Sequence, residues 1–255
     1  MRQVARQSGL SEMTIRRIIR YWLSHPPASE IDLSQCKYLQ FDGTYLKKRH
    51  TAIVGIADPN HKSIVIGCYG LKENELRMVV FCRQLAENGL QPVSVTIDGL
   101  KQVQAMLLAI WPTVTIQRCL VHIQRQGLAW CRRDPHTTAV KHLRKLFDQI
   151  PRIRSIDAKD RFIQSWQSWE DRFGQPIATR PSRGKVFSDV KRARTLLLYA
   201  LPHMFCYLED PLIPHSTNWL EGYFSRLKSR YRQHRGLSPK NCRNYFQWYF
   251  HLCKT

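Results

Sequence analysis

A chain of 255 residues with 43% apolar side chains is long enough to bury one substantial core, or one core and a small satellite domain, and disorder is not its default state. Forty Lys and Arg against nineteen Asp and Glu give a formal charge of +21, which repels itself unless a polyanion neutralises it. Nucleic acid is the expected partner and an anionic membrane the weaker rival; no apolar run is long enough to span a bilayer, and Met1 to Leu10 lacks a signal-peptide core.

In chain order, the first twenty-three residues predict two short helices. Val4, Ala5 and Gln7 precede a break at Ser8-Gly9-Leu10-Ser11, and Thr14, Ile15, Ile18 and Ile19 resume at helical spacing. Ser11 suits the N-cap of the second helix, and Gly9 permits the tight turn. Small Ala5, the Gly9 turn, and Ile15 and Ile18 facing the first helix make the pattern of a helix-turn-helix. Arg16, Arg17 and Arg20, with Thr14, then lie on or beside the face that would meet DNA. An ordinary basic helical hairpin is the plainer alternative. A full domain of this type has another helix in front, so an upstream part is expected to be missing.

Ser24-His25-Pro26-Pro27-Ala28-Ser29 is a linker by composition. Three strands follow, Lys37–Leu46, Thr51–Ala57 and Ser63–Tyr69, whose short joints Lys47–His50 and Asp58–His61 predict antiparallel neighbours. Glu73–Asn88 reads as a helix with Leu76, Val79, Val80 and Leu85 inward and Gly89 as its stop. Val93–Ile97 is a short strand ending at Asp98, Val103, Met106, Leu107 and Ile110 mark a helix, and Val114–Ile116 is a last strand entering a helix near Cys119. Three antiparallel strands, then helix, strand, helix, strand, helix, is the order of a ribonuclease H-like core, although many α/β domains alternate similarly. Residues 134–214 read as mainly helical, with Trp166, Trp169 and Phe173 on one face and a basic loop Arg180–Lys185 followed by Lys191, Arg192 and Arg194.

The expected organisation is an α/β chain: a helix-turn-helix over 1–25, a linker over 26–35, the first part of the core over 36–133, a helical insertion over 134–214, and the core's C-terminal helix and basic tail over 215–255. The eight cysteines form no C-x-x-C pair. That argues against a zinc ribbon or a disulfide framework in this chain and fits reduced thiols in a cytosolic protein.

Three acids stand out. Asp42 in Phe41-Asp42-Gly43-Thr44 fits a catalytic strand end or an Asp-Gly hairpin turn. Asp98 closes a buried strand, where ligands collect in α/β folds, but an aspartate there also opens turns and caps helices. Glu221 fits a capping box with Asn218. It also falls beside the apolar stripe Leu220, Phe224, Leu227 and Tyr231, on a face with Ser225, Lys228 and Arg232. A carboxylate on an otherwise basic face suits a metal site beside DNA. Cys119 and His122, one helical turn apart, can begin a zinc site, but no second close pair accompanies them, which favours a packing or hydrogen-bonding role. No Walker-type loop occurs, so ATP hydrolysis is unsupported.

Together Phe41-Asp42-Gly43-Thr44, Thr96-Ile97-Asp98-Gly99, Gln117-Arg118-Cys119-Leu120-Val121-His122 and Ser216-Thr217-Asn218-Trp219-Leu220-Glu221 with its basic tail Arg230–Gly236 resemble the DDE transposases of the Mutator-like group of insertion sequences. The resemblance covers most of residues 36–250. It implies a ribonuclease H-like fold, Asp42, Asp98 and Glu221 as catalytic metal ligands, and the 134–214 region as a helical insertion. Cys119 and His122 match the Cys-x-x-His motif that this group carries after its second aspartate. Some members carry an N-terminal zinc ribbon, which this sequence lacks.

Three carboxylates suit two Mg²⁺ (or Mn²⁺) ions, which stabilise the attacking and leaving oxygens of a phosphodiester. The expected activity is metal-dependent cleavage at element ends and strand transfer into a target. The expected partner is double-stranded DNA, bound by a homo-oligomer, with Thr14, Arg16, Arg17, Arg20, Lys228 and Arg232 as DNA contacts. No membrane association is expected; the location is cytoplasmic and nucleoid-associated. Rivals are a DNA-binding regulator or inactive remnant with a degenerate nuclease fold, a nuclease without transposition, and a polyanion-binding scaffold.

Overall fold

The computed structural model describes residues 2–27, 32–46, 52–73, 76–179, 185–234 and 236–253. In chain order these form α1 (Arg2–Ser8), α2 (Glu12–Ser24), β1 (Tyr38–Tyr45), β2 (Ala52–Asp58), β3 (Ser63–Tyr69), α3 (Leu76–Glu87), β4 (Ser94–Ile97), α4 (Lys101–Ile110), β5 (Thr115–Arg118), α5 (Leu120–Cys131), α6 (Thr138–Gln149), α7 (Ile156–Trp169), α8 (Gln175–Thr179), α9 (Lys185–Ala200), α10 (Asn218–Tyr231) and α11 (Pro239–Leu252). The fold is mixed α/β. Five strands form one sheet in the order β3-β2-β1-β4-β5, with β2 and β3 antiparallel and β4 parallel to both β1 and β5. The joint Lys47–His50 and residues 180–184 of the basic loop lie outside the described residues. No helix among the described residues is long and apolar enough to cross a membrane.

The chain divides into two compact units. One comprises Met1–Cys36, Asp42–Leu90 and Leu220–Thr255. Its first helices are separated by Gly9, whose φ of 68° favours a residue without Cβ. Ser11 caps α2 by accepting the Thr14 N–H at 3.1 Å. Ile15 is buried as expected, while Ile18 is 41% exposed. The far end of α2 is held by α11. Asn244 Nδ2 donates to the Leu23 carbonyl at 2.6 Å and Trp248 Nε1 to the Trp22 carbonyl at 2.7 Å. These bonds satisfy carbonyls that a helix terminus leaves orphaned. In turn Phe246 of α11 stacks on Tyr69 of β3 with ring centroids 5.0 Å apart.

The β2–β3 turn is closed by the buried Asp58, whose Oδ1 accepts the N–H groups of Asn60 (3.0 Å) and His61 (3.2 Å), an Asx-type arrangement. On α3 the inward residues are Met78, Cys82 and Leu85, at i, i+4 and i+7. Leu76 and Val80, expected inward, are 81% and 52% exposed. The apolar residues of this helix offer two overlapping stripes, and packing selects the one that periodicity does not rank first.

The other unit comprises Lys37–Phe41 and Gln91–Trp219. All four residues of β4 are buried, as are Val103, Met106 and Leu107 of α4. The helices α5, α6, α7 and α9 close a second core containing Leu120, Ile123, Leu143, Phe147, Trp166, Trp169 and Leu197. Trp166 and Trp169 stack at 5.3 Å, and Trp169 Nε1 donates to the Ala139 carbonyl at 2.8 Å. A π-helical turn, Glu170–Gly174, follows α7. Its Glu170 receives the guanidinium of Arg194 from α9, so Arg194 serves the interior of this unit.

Candidate active site and nucleic-acid-binding residues

Asp98 follows β4 directly and is half-buried. Its Oδ1 accepts the Leu100 N–H at 3.1 Å, the local turn that its sequence context also allowed. Gly99 has a φ of 108°, and a Cβ there would collide with the guanidinium of Arg118. Arg118 ends β5, is 5% exposed, and donates from Nη2 to the Asp98 carbonyl at 3.3 Å. Burial pulls its pKa below the usual arginine value, while the Asp98 carboxylate and Cys119 act in the opposite direction. The sequence places Arg118 inside a motif without giving it a role; a buried arginine and a surface one look alike in a sequence.

The segment before α10 is fastened in the same unit by four side chains or backbone groups. Gln40 Nε2 donates to the Ser216 carbonyl at 2.5 Å, and the Thr96 hydroxyl to the Pro214 carbonyl. The Leu120 N–H donates to the His215 carbonyl at 3.0 Å. Finally Thr217 donates its N–H (3.3 Å) and its hydroxyl (3.5 Å) to Cys119 Sγ, and its Oγ1 also stands 3.4 Å from His122 Nδ1. Burial raises the Cys119 pKa, but His122 and Thr217 outweigh it and the net shift is downward. Cys119, at the N-cap position of α5, thus sits in a hydrogen-bonded cluster with the residue that precedes α10.

Asp42 belongs to the other unit. It lies within β1, is 8% exposed, and its Oδ1 accepts the Gly43 N–H at 2.8 Å. The Glu73 carboxylate packs against Gly43, the residue after Asp42 in β1, a contact that its distance in sequence concealed. Glu221 lies in the first turn of α10, where the helix dipole favours a negative charge. The stripe Leu220, Phe224, Leu227 and Tyr231 is buried as expected, joined by Tyr223, and Leu220 and Phe224 close on Gly55 of β2. The helix begins at Asn218, so Asn218 is its first residue.

Of the expected DNA contacts, Arg16, Arg17 and Arg20 are exposed on α2, and Arg16 stands 3.8 Å from Glu12. Thr14 is half-buried beside Ser11. Lys228 is half-buried on α10 and Arg232 exposed just beyond it. Among the described residues, no three His, Cys, Asp or Glu side chains are grouped closely enough to share a metal ion.

A family model for transposases of the Mutator family matches residues 31–191. The chain belongs to that family. The match takes in Asp42, Asp98, Cys119 and His122 and ends before Glu221. This Mutator-family chain is similar to the transposase for insertion sequence element IS905 of Lactococcus lactis subsp. lactis (strain IL1403), 22% identical over 200 residues, 74% of this chain and 46% of that protein. It is also similar to the transposase for insertion sequence element IS1201 of Lactobacillus helveticus, 24% identical over 140 residues, 51% of this chain and 37% of that protein. The aligned part thus spans less than half the length of either relative.

Proposed function

We propose that this chain acts on double-stranded DNA as the catalytic part of an insertion-sequence transposase, cutting strands at element ends and joining them to a target, with Asp42, Asp98 and Glu221 as its acids on a ribonuclease H-like core. The observation that supports this best is the parallel register of β1 and β4, in which Gln40 pairs with Thr96. Each aspartate follows a member of that pair by two residues in sequence, Asp42 within β1 and Asp98 just after β4.

The donor chemistry fits a hard divalent cation, because carboxylate oxygens are what Mg²⁺ and Mn²⁺ take. Such a metal, held by the three acids, would neutralise charge developing on the attacking and leaving oxygens and activate water or a 3′-hydroxyl. Gathering the acids is part of the proposal. The chain's own contribution is positional. The bonds from Gln40, Thr96, Leu120 and Cys119 fix the segment that leads into Glu221, and Arg118 holds the backbone at Asp98. Lys228 and Arg232 hold phosphates, and α1 and α2 act as a helix-turn-helix that recognises the element ends. A homo-oligomer on DNA and a cytoplasmic, nucleoid-associated location belong to the same reading.

The test is a labelled duplex carrying the element end, incubated with the chain, a supercoiled target and Mg²⁺ or Mn²⁺. Nicking followed by joining to the target supports the proposal. Nicking without joining indicates a nuclease, and binding without either indicates a regulator; both contradict it.

A further inference from the structure

Between α4, the end of β5 and α9 the second unit forms an open cavity of about 730 Å³. Its described lining includes four cations, Lys101, Arg118, Lys191 and Arg192, and no carboxylate. Arg192 pairs with Asp189 at 3.6 Å and the Asp98 carboxylate acts on Arg118, yet the recess keeps an excess of positive charge that favours an anion. Arg118 is 5% exposed, and its buried Nε has no hydrogen-bond partner among the described residues. A buried donor left unmade is costly, and a turn of the guanidinium toward an acceptor in this recess would relieve that cost. The rest of the wall is mainly apolar. Leu108 faces it, and the ring of Tyr199 has the Lys101 ammonium 3.4 Å from its centroid.

Cations with one flat aromatic face suit a ligand that combines a phosphate with a planar, weakly polar body. The volume lies in the range of sites for ligands of that size, about 300–1,000 Å³. It is of a size to admit one nucleotide. We propose that this cavity binds a single unstacked nucleotide, with its phosphate on Lys101, Arg118, Lys191 and Arg192 and its base against Tyr199. A free nucleotide and a nucleotide drawn out of a DNA strand present the same chemistry. The inference stands on the cavity and does not depend on strand cleavage.

Two probes separate the sources: 2-aminopurine deoxynucleoside 5′-monophosphate, and a duplex carrying one 2-aminopurine beside a one-base gap. Fluorescence of each is titrated with the full chain, without added metal. Saturable quenching of either probe is expected, the responding probe naming the source. A Lys191→Ala/Arg192→Ala variant should weaken it at least tenfold. Tyr199→Leu should remove the quenching while circular dichroism and melting stay unchanged; Tyr199 is 54% exposed, so its loss leaves the core intact. No response from either probe would overturn the proposal. So would a response unaltered in both variants, or displacement by an equal concentration of inorganic phosphate, which would mark a plain anion site.

Discussion

Thr217 directs both its backbone N–H and its hydroxyl at the sulfur of Cys119, 98 positions away in sequence, and both residues are fully buried. A contact of this kind ties the N-cap of α5 to the residue immediately before α10. Replacing Thr217 with Val keeps the shape and removes the hydroxyl, at a cost of about 1 kcal/mol for one buried hydrogen bond. The midpoint of urea denaturation should fall accordingly. If the proposed catalytic role of Glu221 holds, DNA cleavage should fall as well, with DNA binding retained. A variant as stable and active as the parent would show that the sulfur contact positions nothing.

Acid should destabilise the second unit through two histidines. Burial lowers the pKa of His203 below its usual 6.5, and Arg118 adds to the effect; burial and Arg154 do the same to His215. The His215 Nε2 faces an Arg154 nitrogen at 3.4 Å, so the neutral ring is the one that accepts. With the folded pKa depressed, the unfolded chain binds more protons below about pH 6.5. The stability these rings contribute is fully present above that value and is lost as pH falls towards their folded pKa values. Thermal melting between pH 7 and pH 5 should therefore drop, and a His203→Gln/His215→Gln variant should drop less. Parallel pH profiles for parent and variant would contradict this.

Much of the fold was legible because strong local chemistry agreed with packing. Ser11 announces a helix start by its own side chain, Gly9 a left-handed turn, and the run Leu220, Phe224, Leu227, Tyr231 leaves α10 one face to bury. Where two faces were possible, periodicity was insufficient. In α3 the stripe Met78, Cys82, Leu85 and the residues Leu76 and Val80 are both apolar, and only packing chose between them. The hold of α11 on the end of α2, through Asn244 and Trp248 more than 220 residues further on, has no local signal in either segment. The acids Asp42 and Asp98 were visible as motif residues, but their neighbours were not. Arg118 against Gly99, Glu73 against Gly43 and Thr217 on Cys119 are long-range contacts that no local pattern encodes.

The charge of +21 predicts DNA affinity that falls steeply and linearly on a log–log plot against salt. Arg16 and Arg17, exposed on α2, should contribute to binding of the element ends. An Arg16→Ala/Arg17→Ala variant should bind the end duplex more weakly, with a salt slope shallower by about one for each phosphate left without its cation. Filter binding or anisotropy over a salt series measures both. Unchanged binding accompanied by failed cleavage would remove end recognition from these two helices.

Three conservative variants test whether Asp42, Asp98 and Glu221 serve one metal-dependent reaction. Asp42→Asn, Asp98→Asn and Glu221→Gln each keep the side-chain shape and remove one negative charge. Strand cleavage of the labelled end duplex is measured with Mg²⁺, alongside DNA binding and thermal melting. Each variant should lose cleavage by more than about a hundredfold, beyond the 10–100-fold typical of residues that only support a metal ligand. Binding and melting should stay near those of the parent. A variant that cleaves at close to the parent rate would remove that residue from the site, and normal cleavage in all three would show that these acids do not carry the reaction.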